Sequence, residues 1–372
     1  MKKVVLVTTV HTATDTRIFY KEARALAKRG YEVTLIAQNE KDEVIDGVYI
    51  KALPRPNNRF MRILGLTLLT FRVAIKQKAD IYHFHDPELI PVGALLKILT
   101  GARVIYDVHE DVPKQILTKQ WIPPHLHQLI AVLFAILEKS LANVFDAIIV
   151  ATEEISKRFE KFDPIVVHNF PDFRMLPIKY QIHDSAAEKT LVYVGGISRI
   201  RGVEEMIQAM EYVCCRHKIN LLLIGRYEPK NLKMELQNLL GYQKVQSLGH
   251  LPWEEAWATA KNAIAGLVLF HPVPNHQRSL QNKLFEYMAA GIPVVASNFP
   301  LWREIIEGNH CGICVDPLKP KEIAAAIEYL ISNPEKAREM GENGRRAVVE
   351  KYNWGSEEIK LLNLYRELLD EE

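Results

Sequence analysis

The chain has 372 residues, 48% apolar and 25% charged, which is enough for two domains of roughly 100 to 200 residues each and typical of soluble globular proteins. Its 47 lysines and arginines against 45 aspartates and glutamates leave a formal charge of +2, which argues against a nucleic-acid binder working through a global positive field. Four cysteines are too few for a disulfide framework, the first nine residues turn polar too early for a secretory signal, and the longest apolar run, 129–137, falls short of the roughly 20 residues of a spanning helix. A cytoplasmic protein with no membrane span is expected.

In chain order, short β-branched apolar runs occur at 4–7, 33–36, 104–106, 147–150, 191–194, 221–224, 264–269 and 293–296, and read as strands buried on both faces. Stretches of helical spacing lie between many of them, and several stop at a glycine just before the next strand: Gly30, Gly101 and Gly291. Strand and helix alternating throughout means parallel sheets covered by helices, an α/β class with a doubly wound layer in each half. The alternation pauses between His168 and Lys189, where Pro171, Asp172, Pro177, Asp184 and Ser185 suit a linker. The expected domains are 1–170 and 171–354, with the helical 355–372 packing back on the first. Two such halves facing each other would place the carboxyl ends of both sheets at one cleft.

The loop after the first strand, 8–15, has no glycine, so neither a dinucleotide fingerprint nor a P-loop can be written there. The second half opens differently, with a strand followed by Gly195-Gly196-Ile197-Ser198-Arg199-Ile200-Arg201-Gly202. Glycines at a strand exit let backbone approach a ligand, and a helix start with arginines attracts phosphate. An ordinary βα turn with solvated arginines is the alternative. Further on, a helix starting near Asn282 offers free amides and Lys283 to a diphosphate, and Glu286, one turn later, suits the hydroxyls of a ribose. A solvated Glu286 beside a close-packed Ala289-Ala290-Gly291 is the alternative there.

Residues 282–297 resemble the nucleotide-sugar signature of retaining GT-B glycosyltransferases of family 4. Matching pieces follow in order: Tyr193-Val194-Gly195-Gly196 with Arg201-Gly202, Ser247-Leu248-Gly249-His250-Leu251-Pro252, Phe299-Pro300-Leu301-Trp302-Arg303-Glu304 and Met340-Gly341-Glu342-Asn343-Gly344-Arg345. In the first half, His83-Phe84-His85-Asp86-Pro87-Glu88, Tyr106-Asp107-Val108-His109-Glu110 and 11–22 resemble one branch of the same group, so the likeness spans nearly the whole chain.

The resemblance implies a GT-B architecture of two Rossmann-like domains facing a central cleft, and a hexosyl or related transferase. Such an enzyme moves a sugar from a UDP-linked donor to a hydroxyl of a saccharide or lipid-linked saccharide, in polysaccharide and cell-envelope synthesis. It assigns the ribose to Glu286, the diphosphate to Arg201 and to the backbone at Asn282 and Lys283, close access to Gly195 and Gly196, and the base to the backbone near Gly249 and His250. His109 corresponds to the family histidine that reaches the donor sugar, so His109, Arg201 and Lys283 are the expected catalytic residues. No cofactor and no metal are expected, since the chain has no Asp-x-Asp pair and Arg201, Lys283 and a helix N-terminus would neutralise the diphosphate.

Two departures bear on this. Arg278 stands where many relatives have a glutamate eight positions before Glu286, and Gly196 where many have an arginine, leaving Arg201 with Arg199 as the diphosphate cations. A nucleotide-sugar epimerase and a degenerate, non-catalytic carbohydrate- or nucleotide-binding protein are the other readings. His11, Asp15 and Arg17 shape the acceptor side, or Asp15 simply caps a helix. His83 and His85 read as structural, at most one facing the cleft and neither paired with a distant His109; Cys214, Cys215, Cys311 and Cys314 read as reduced packing residues. Between Asp46 and Asp80 no acid occurs, while Lys51, Arg55, Arg59, Arg62, Arg72, Lys76 and Lys78 surround Phe60, Leu64, Leu66, Leu68, Leu69 and Phe71. Residues 51–78 thus suit peripheral contact with anionic lipid at the inner face of a membrane, or a core helix with solvated flanks.

Overall fold

The protein is described by a computed structural model covering residues 1–58, 61–117, 119, 122–172 and 189–370. The chain divides into two compact units, one of Met1–Asn169 with Trp354–Glu372, the other of Phe170–Asn353. Most of the expected linker, 173–188, lies outside the described residues.

The first unit is built on β1 (Lys3–Thr12), β2 (Glu32–Gln38), β3 (Glu43–Ile45), β4 (Val48–Leu53), β5 (Ile81–Phe84), β6 (Arg103–Val108), β7 (Ala147–Val150) and β8 (Ile165–Val166). These form one sheet in the order β3-β4-β2-β1-β5-β6-β7-β8. All pairings are parallel except β3 with β4, a hairpin the strand reading missed. Its turn is Asp46-Gly47, both at positive φ (49° and 81°), the two-residue turn that matches strand twist. That Asp-Gly pair was a readable signal.

The helices of this unit are α1 (Arg24–Lys28, continuing a π-helical turn from Ile18), α2 (Thr67–Ile75), α3 (Ile90–Thr100), α4 (Val112–Ile116), α5 (His127–Ala142) and α6 (Glu153–Phe159). α3 ends as its sequence implies: Gly101 takes the left-handed conformation and its amide closes on Lys97. Helices α2, α3 and α5 share a core with one set of inward residues from the strands, including Val5, Tyr82, Val104 and Ile148. The other set, including Val4, Leu6, Val33 and Ile105, packs with Ile18, Leu26 and the C-terminal helix, whose Trp354, Leu361, Leu364 and Tyr365 are buried in this unit. Period-2 alternation along fully buried strands supplies both cores.

The second unit carries β9 (Lys189–Val194), β10 (Ile219–Ile224), β11 (Val245–Gly249), β12 (Ala265–Val268), β13 (Val294–Ser297) and β14 (Gly312–Val315), all parallel in the order β11-β10-β9-β12-β13-β14. Its helices are α7 (Val203–Cys214), α8 (Leu232–Leu236), α9 (Trp253–Ala260), α10 (Pro274–Gln277), α11 (Asn282–Ala289), α12 (Pro300–Gly308), α13 (Pro320–Ser332) and α14 (Pro334–Glu350), and α15 (Trp354–Leu368) returns to the first unit. In each sheet the strand order reverses once, between β1 and β5 and between β9 and β12. Such a switch point leaves a crevice at the strands' carboxyl ends, where open α/β sheets take ligands.

A helical stretch long and apolar enough to cross a bilayer is present, Pro124–Ala142, although the apolar run within it is short. His125, His127 and Gln128 at its start and Glu138, Lys139 and Ser140 near its end hid it from a run-length reading.

Candidate functional site

At the switch point of the second unit, β9 runs out into Gly195-Gly196. Gly195 sits at φ +132°, and a Cβ there would lie 2.7 Å from Nζ of Lys283. The Gly196 carbonyl accepts hydrogen bonds from Oη of Tyr193 at 2.7 Å and Nη1 of Arg201 at 3.0 Å. A side chain at Gly196 would run into that guanidinium. Both glycines therefore hold space for the two cations.

Lys283 is the second residue of α11. Its Nζ donates to Tyr193 Oη at 2.9 Å and lies 4.3 Å from the Tyr193 ring centre and 4.9 Å from that of Phe270. Burial, reinforced by the positive charge of Arg201, pulls its pKa down to about 7. Among the described residues, neither Arg201 nor Lys283 forms an ion pair with a carboxylate. Two cations held by neutral oxygens and aromatic faces, beside a helix whose first turn has no side-chain cap, make the complement of a diphosphate. One turn on, Glu286 accepts from the indole Nε1 of Trp253 at 3.2 Å, which fixes one carboxylate oxygen.

Beside this cradle, at the ends of β10 and β11, a cavity of about 740 Å³ is lined by Gly225, Tyr227, Glu228, Ser247, Gly249 and His250 among others. The Gly225 amide donates to the Gly249 carbonyl at 2.7 Å, and Gly225, at φ +154°, packs so close to Gly195 that a Cβ would overlap the Gly195 carbonyl oxygen. That contact joins the cavity to the cradle. The structure therefore brings Gly195, Gly196, Arg201, Asn282, Lys283 and Glu286 to one end of the sheet, with Gly249 and His250 next to them.

The sequence reading missed Gly225, Tyr227 and Trp253. For Gly225 the signal was available, a glycine directly after a buried strand, as at Gly195; nothing marked Trp253. Arg199 pairs with Glu204 and with Glu235, whereas Arg201 meets the Gly196 carbonyl. Arg278, at the exposed end of α10, follows Pro274–Gln277.

His109 belongs to a second cluster, at the switch point of the first unit. The loop after β1 is ordered by a carboxylate in place of glycines: Asp86 Oδ2 accepts from Thr8 Oγ1 at 2.8 Å and from the amides of Thr9 and Val10. Asp15 Oδ1 accepts from the amides of Arg17 and Ile18, capping the helical turn that follows. Its other oxygen meets His11 at 3.0 Å; burial lowers the imidazole pKa, but the Asp15 bond outweighs this and leaves it raised.

Below the loop, Arg17 is fully enclosed and donates from Nη2 to Asp107 at 2.9 Å and 3.2 Å, while its Nε lies 2.8 Å from Glu22. Around the same aspartate stand His83, His85 and His109, the last 3.3 Å from Oδ1. Burial would push Asp107 up, but Arg17 and His109 outweigh it and hold the carboxyl well below the usual range. Glu22 goes the other way, pushed well up by burial and by Asp107, against the pull of Arg17. Burial also lowers His83 and His85, so both imidazoles are neutral at pH 7. One guanidinium thus pairs with one carboxylate, and a second carboxyl beside them keeps its proton.

The expectation that His85 and His109 lie apart is overturned: His85 Nδ1 is 3.1 Å from His109 Nε2, because they follow the adjacent strands β5 and β6 in register. Both His83 and His85 point to the same buried centre, and His83 Nδ1 also meets Tyr365 Oη at 2.8 Å. Glu22, His85, Asp107 and His109 bring ligand atoms within 4.8 Å of one another, a donor set that suits a transition metal by type. Arg17, already on Asp107 and Glu22, takes the cation's place there. Of the group, His109 is the member that reaches solvent, at 20% side-chain exposure. The cysteines are unpaired, and burial pushes the Cys311 and Cys314 thiols up to about 12.

The family described as Glycosyl transferases group 1 matches residues 179–347, and Glycosyltransferase Family 4 matches 15–173. An uncharacterised glycosyltransferase of Methanocaldococcus jannaschii is 23% identical over 365 residues, covering 92% of each chain. Among solved structures, sucrose-phosphate synthase from Thermosynechococcus elongatus superposes with a TM-score of 0.79 at 19% identity over 100% of both chains. Anabaena HepE in complex with UDP-glucose does so with a TM-score of 0.72 at 15% identity, over 99% of this chain and 100% of that one.

Proposed function

The chain belongs to the GT-B glycosyltransferases, with a group 1 domain and a family 4 domain, and on that premise we propose that it transfers a sugar from a UDP-linked donor to a hydroxyl of a saccharide or lipid-linked saccharide. The observation that carries this is the cation pair of Arg201 and Lys283 over the Gly195-Gly196 turn, at the first turn of α11. A nucleoside diphosphate supplies the anion that this cradle lacks. Its ribose lies against Glu286 and its base in the cavity of Gly249 and His250, and the HepE complex with UDP-glucose favours uridine as that base.

The reaction proceeds with retention. The bond from the anomeric carbon to the diphosphate oxygen breaks, the acceptor oxygen bonds to that carbon on the same face, and the acceptor proton passes to the departing diphosphate oxygen. No strong protein base is required. Arg201 and Lys283 stabilise the charge that develops on the leaving group, and no divalent metal or other cofactor is needed for that work. His109, held by Asp107 and His85, is the imidazole that meets the donor sugar. The unpaired cysteines, two of them with thiol pKa values near 12, suit a reducing cytoplasm.

A panel of nucleotide sugars, screened for hydrolysis and for transfer to simple saccharides without added metal, tests the reading. Turnover of a UDP-sugar that persists in chelator supports it. Epimerisation of the donor with no acceptor present, or binding with no turnover across the panel, would replace it.

A further inference from the structure

From Leu129 to Leu137 helix α5 is apolar all round. Its Ala131, Glu138 and Ala142 face the domain, yet Leu129, Val132, Leu133, Ile136 and Leu137 are all exposed, at the i, i+3, i+4, i+7, i+8 spacing of one stripe. Helix α3 packs between α5 and α2, and its outer side carries Leu95, Ile98 and Leu99, with Ile98 71% exposed. On the far side, Leu64, Leu68 and Leu69 in and before α2 are exposed as well. Three neighbouring helices over one face of the sheet therefore present apolar side chains outward. A patch of this extent is not the scatter of single hydrophobics usual on a soluble surface.

The free charge on these helices is basic. Segments 47–79, 89–106 and 112–137, which hold α2, α3 and α5 up to Leu137, have no aspartate or glutamate, while Arg72, Lys76 and Lys78 are exposed at the α2 end and Lys139 at the α5 end. The acid of α5, Glu138, is buried, where it accepts from Tyr106 Oη at 2.9 Å and pairs with Arg158. We propose that this three-helix face docks the N-terminal unit on the surface of an anionic bilayer, its leucines and isoleucines in the acyl boundary and its cations among lipid phosphates.

Length alone would let Pro124–Ala142 span the membrane, but Glu138 prevents it. Extracting the helix would strip a buried carboxylate from Tyr106 and Arg158, so α5 lies in the interface with its inner side still on the domain. A second copy of the chain is a poorer occupant, because a two-fold dimer would set the same basic surface against itself. The sequence expectation placed lipid contact at 51–78; the structure moves its centre to α3 and α5, and two of the residues it relied on, Arg59 and Phe60, lie outside the described residues.

The docking is read by binding alone, so it succeeds or fails apart from the transfer reaction. Vesicle flotation would compare phosphatidylglycerol-containing with pure phosphatidylcholine vesicles, for the full chain and two triple variants, Leu129→Ser/Leu133→Ser/Ile136→Ser and Arg72→Gln/Lys76→Gln/Lys78→Gln. The chain is expected to float with anionic vesicles, to be released by salt, and to lose at least about tenfold in binding in either variant. Unchanged thermal midpoints and UDP affinity in the variants would assign that loss to the surface. A chain that stays behind with both vesicle types overturns the proposal, as do variants that float like the parent. A parent that is dimeric without lipid, and that the serine variant makes monomeric, would assign the face to a second copy.

Discussion

The Nζ of Lys283 lies 2.9 Å from the Oη of Tyr193, and that hydroxyl in turn donates to the Gly196 carbonyl at 2.7 Å. A lysine held by a phenol and two aromatic faces, beside Arg201, is poorly solvated, which is why its pKa falls to about 7. A bound diphosphate reverses that balance. UDP should therefore bind with uptake of a proton, and its affinity should fall about tenfold per pH unit above pH 7, where its own phosphates no longer titrate. Calorimetric titration at pH 7, 8 and 9 checks this, and Lys283→Met should be both weak and nearly independent of pH. The sign for stability follows: a depressed lysine pKa costs the free protein stability at and below pH 7, a cost removed as pH rises toward the ordinary lysine value. A parent whose affinity is flat across that range would show that Lys283 is not at the diphosphate.

In the first unit, Asp107 carries the charge that balances Arg17, and Glu22 keeps its proton. Glu22→Gln, a near-isostere of the protonated form, should change stability by no more than about 1 kcal/mol. Asp107→Asn leaves the guanidinium buried without its counter-charge and should cost about 3–5 kcal/mol. Because its pKa is depressed, the contribution of Asp107 is fully present at neutral pH and is lost on acidification below about pH 4. Chemical denaturation of both variants at pH 7 decides between this assignment and its reverse, in which Glu22→Gln is the costly change.

Gly196 and Gly225 separate function from folding. A Cβ at Gly196 meets only the end of the Arg201 side chain, which can move, so Gly196→Ala should fold normally and bind UDP about tenfold more weakly. A Cβ at Gly225 meets the backbone carbonyl of Gly195, which cannot move cheaply, and φ there is +154°. Gly225→Ala should therefore lose several kcal/mol of stability, about 2 or more. Thermal melts with and without UDP distinguish the two, and equal melting temperatures for the variants would refute the packing argument.

Much of this was legible in the residues. The parallel sheets follow from short β-branched runs, and the helix stops at Gly30, Gly101 and Gly291 all take positive φ as expected. The grouping of Gly195, Arg201 and Lys283 was readable because glycines at a strand exit and a helix start with a lysine are local patterns. What escaped was non-local. The proximity of His85 to His109 depends on the register of β5 with β6, which no spacing in one segment reveals. The Arg17, Glu22 and Asp107 cluster joins residues up to 90 positions apart. The outward face of α5 was hidden for a different reason: an apolar stripe looks the same in sequence whether it faces a core or solvent.

The most direct test of the donor site is the affinity for UDP of the parent, Glu286→Ala and Arg201→Ala, measured by calorimetry at pH 7 without metal. Loss of a carboxylate at the ribose and of a guanidinium at the diphosphate should each raise Kd by about 10- to 100-fold, with thermal midpoints little changed. Parental affinity in both variants would contradict the account.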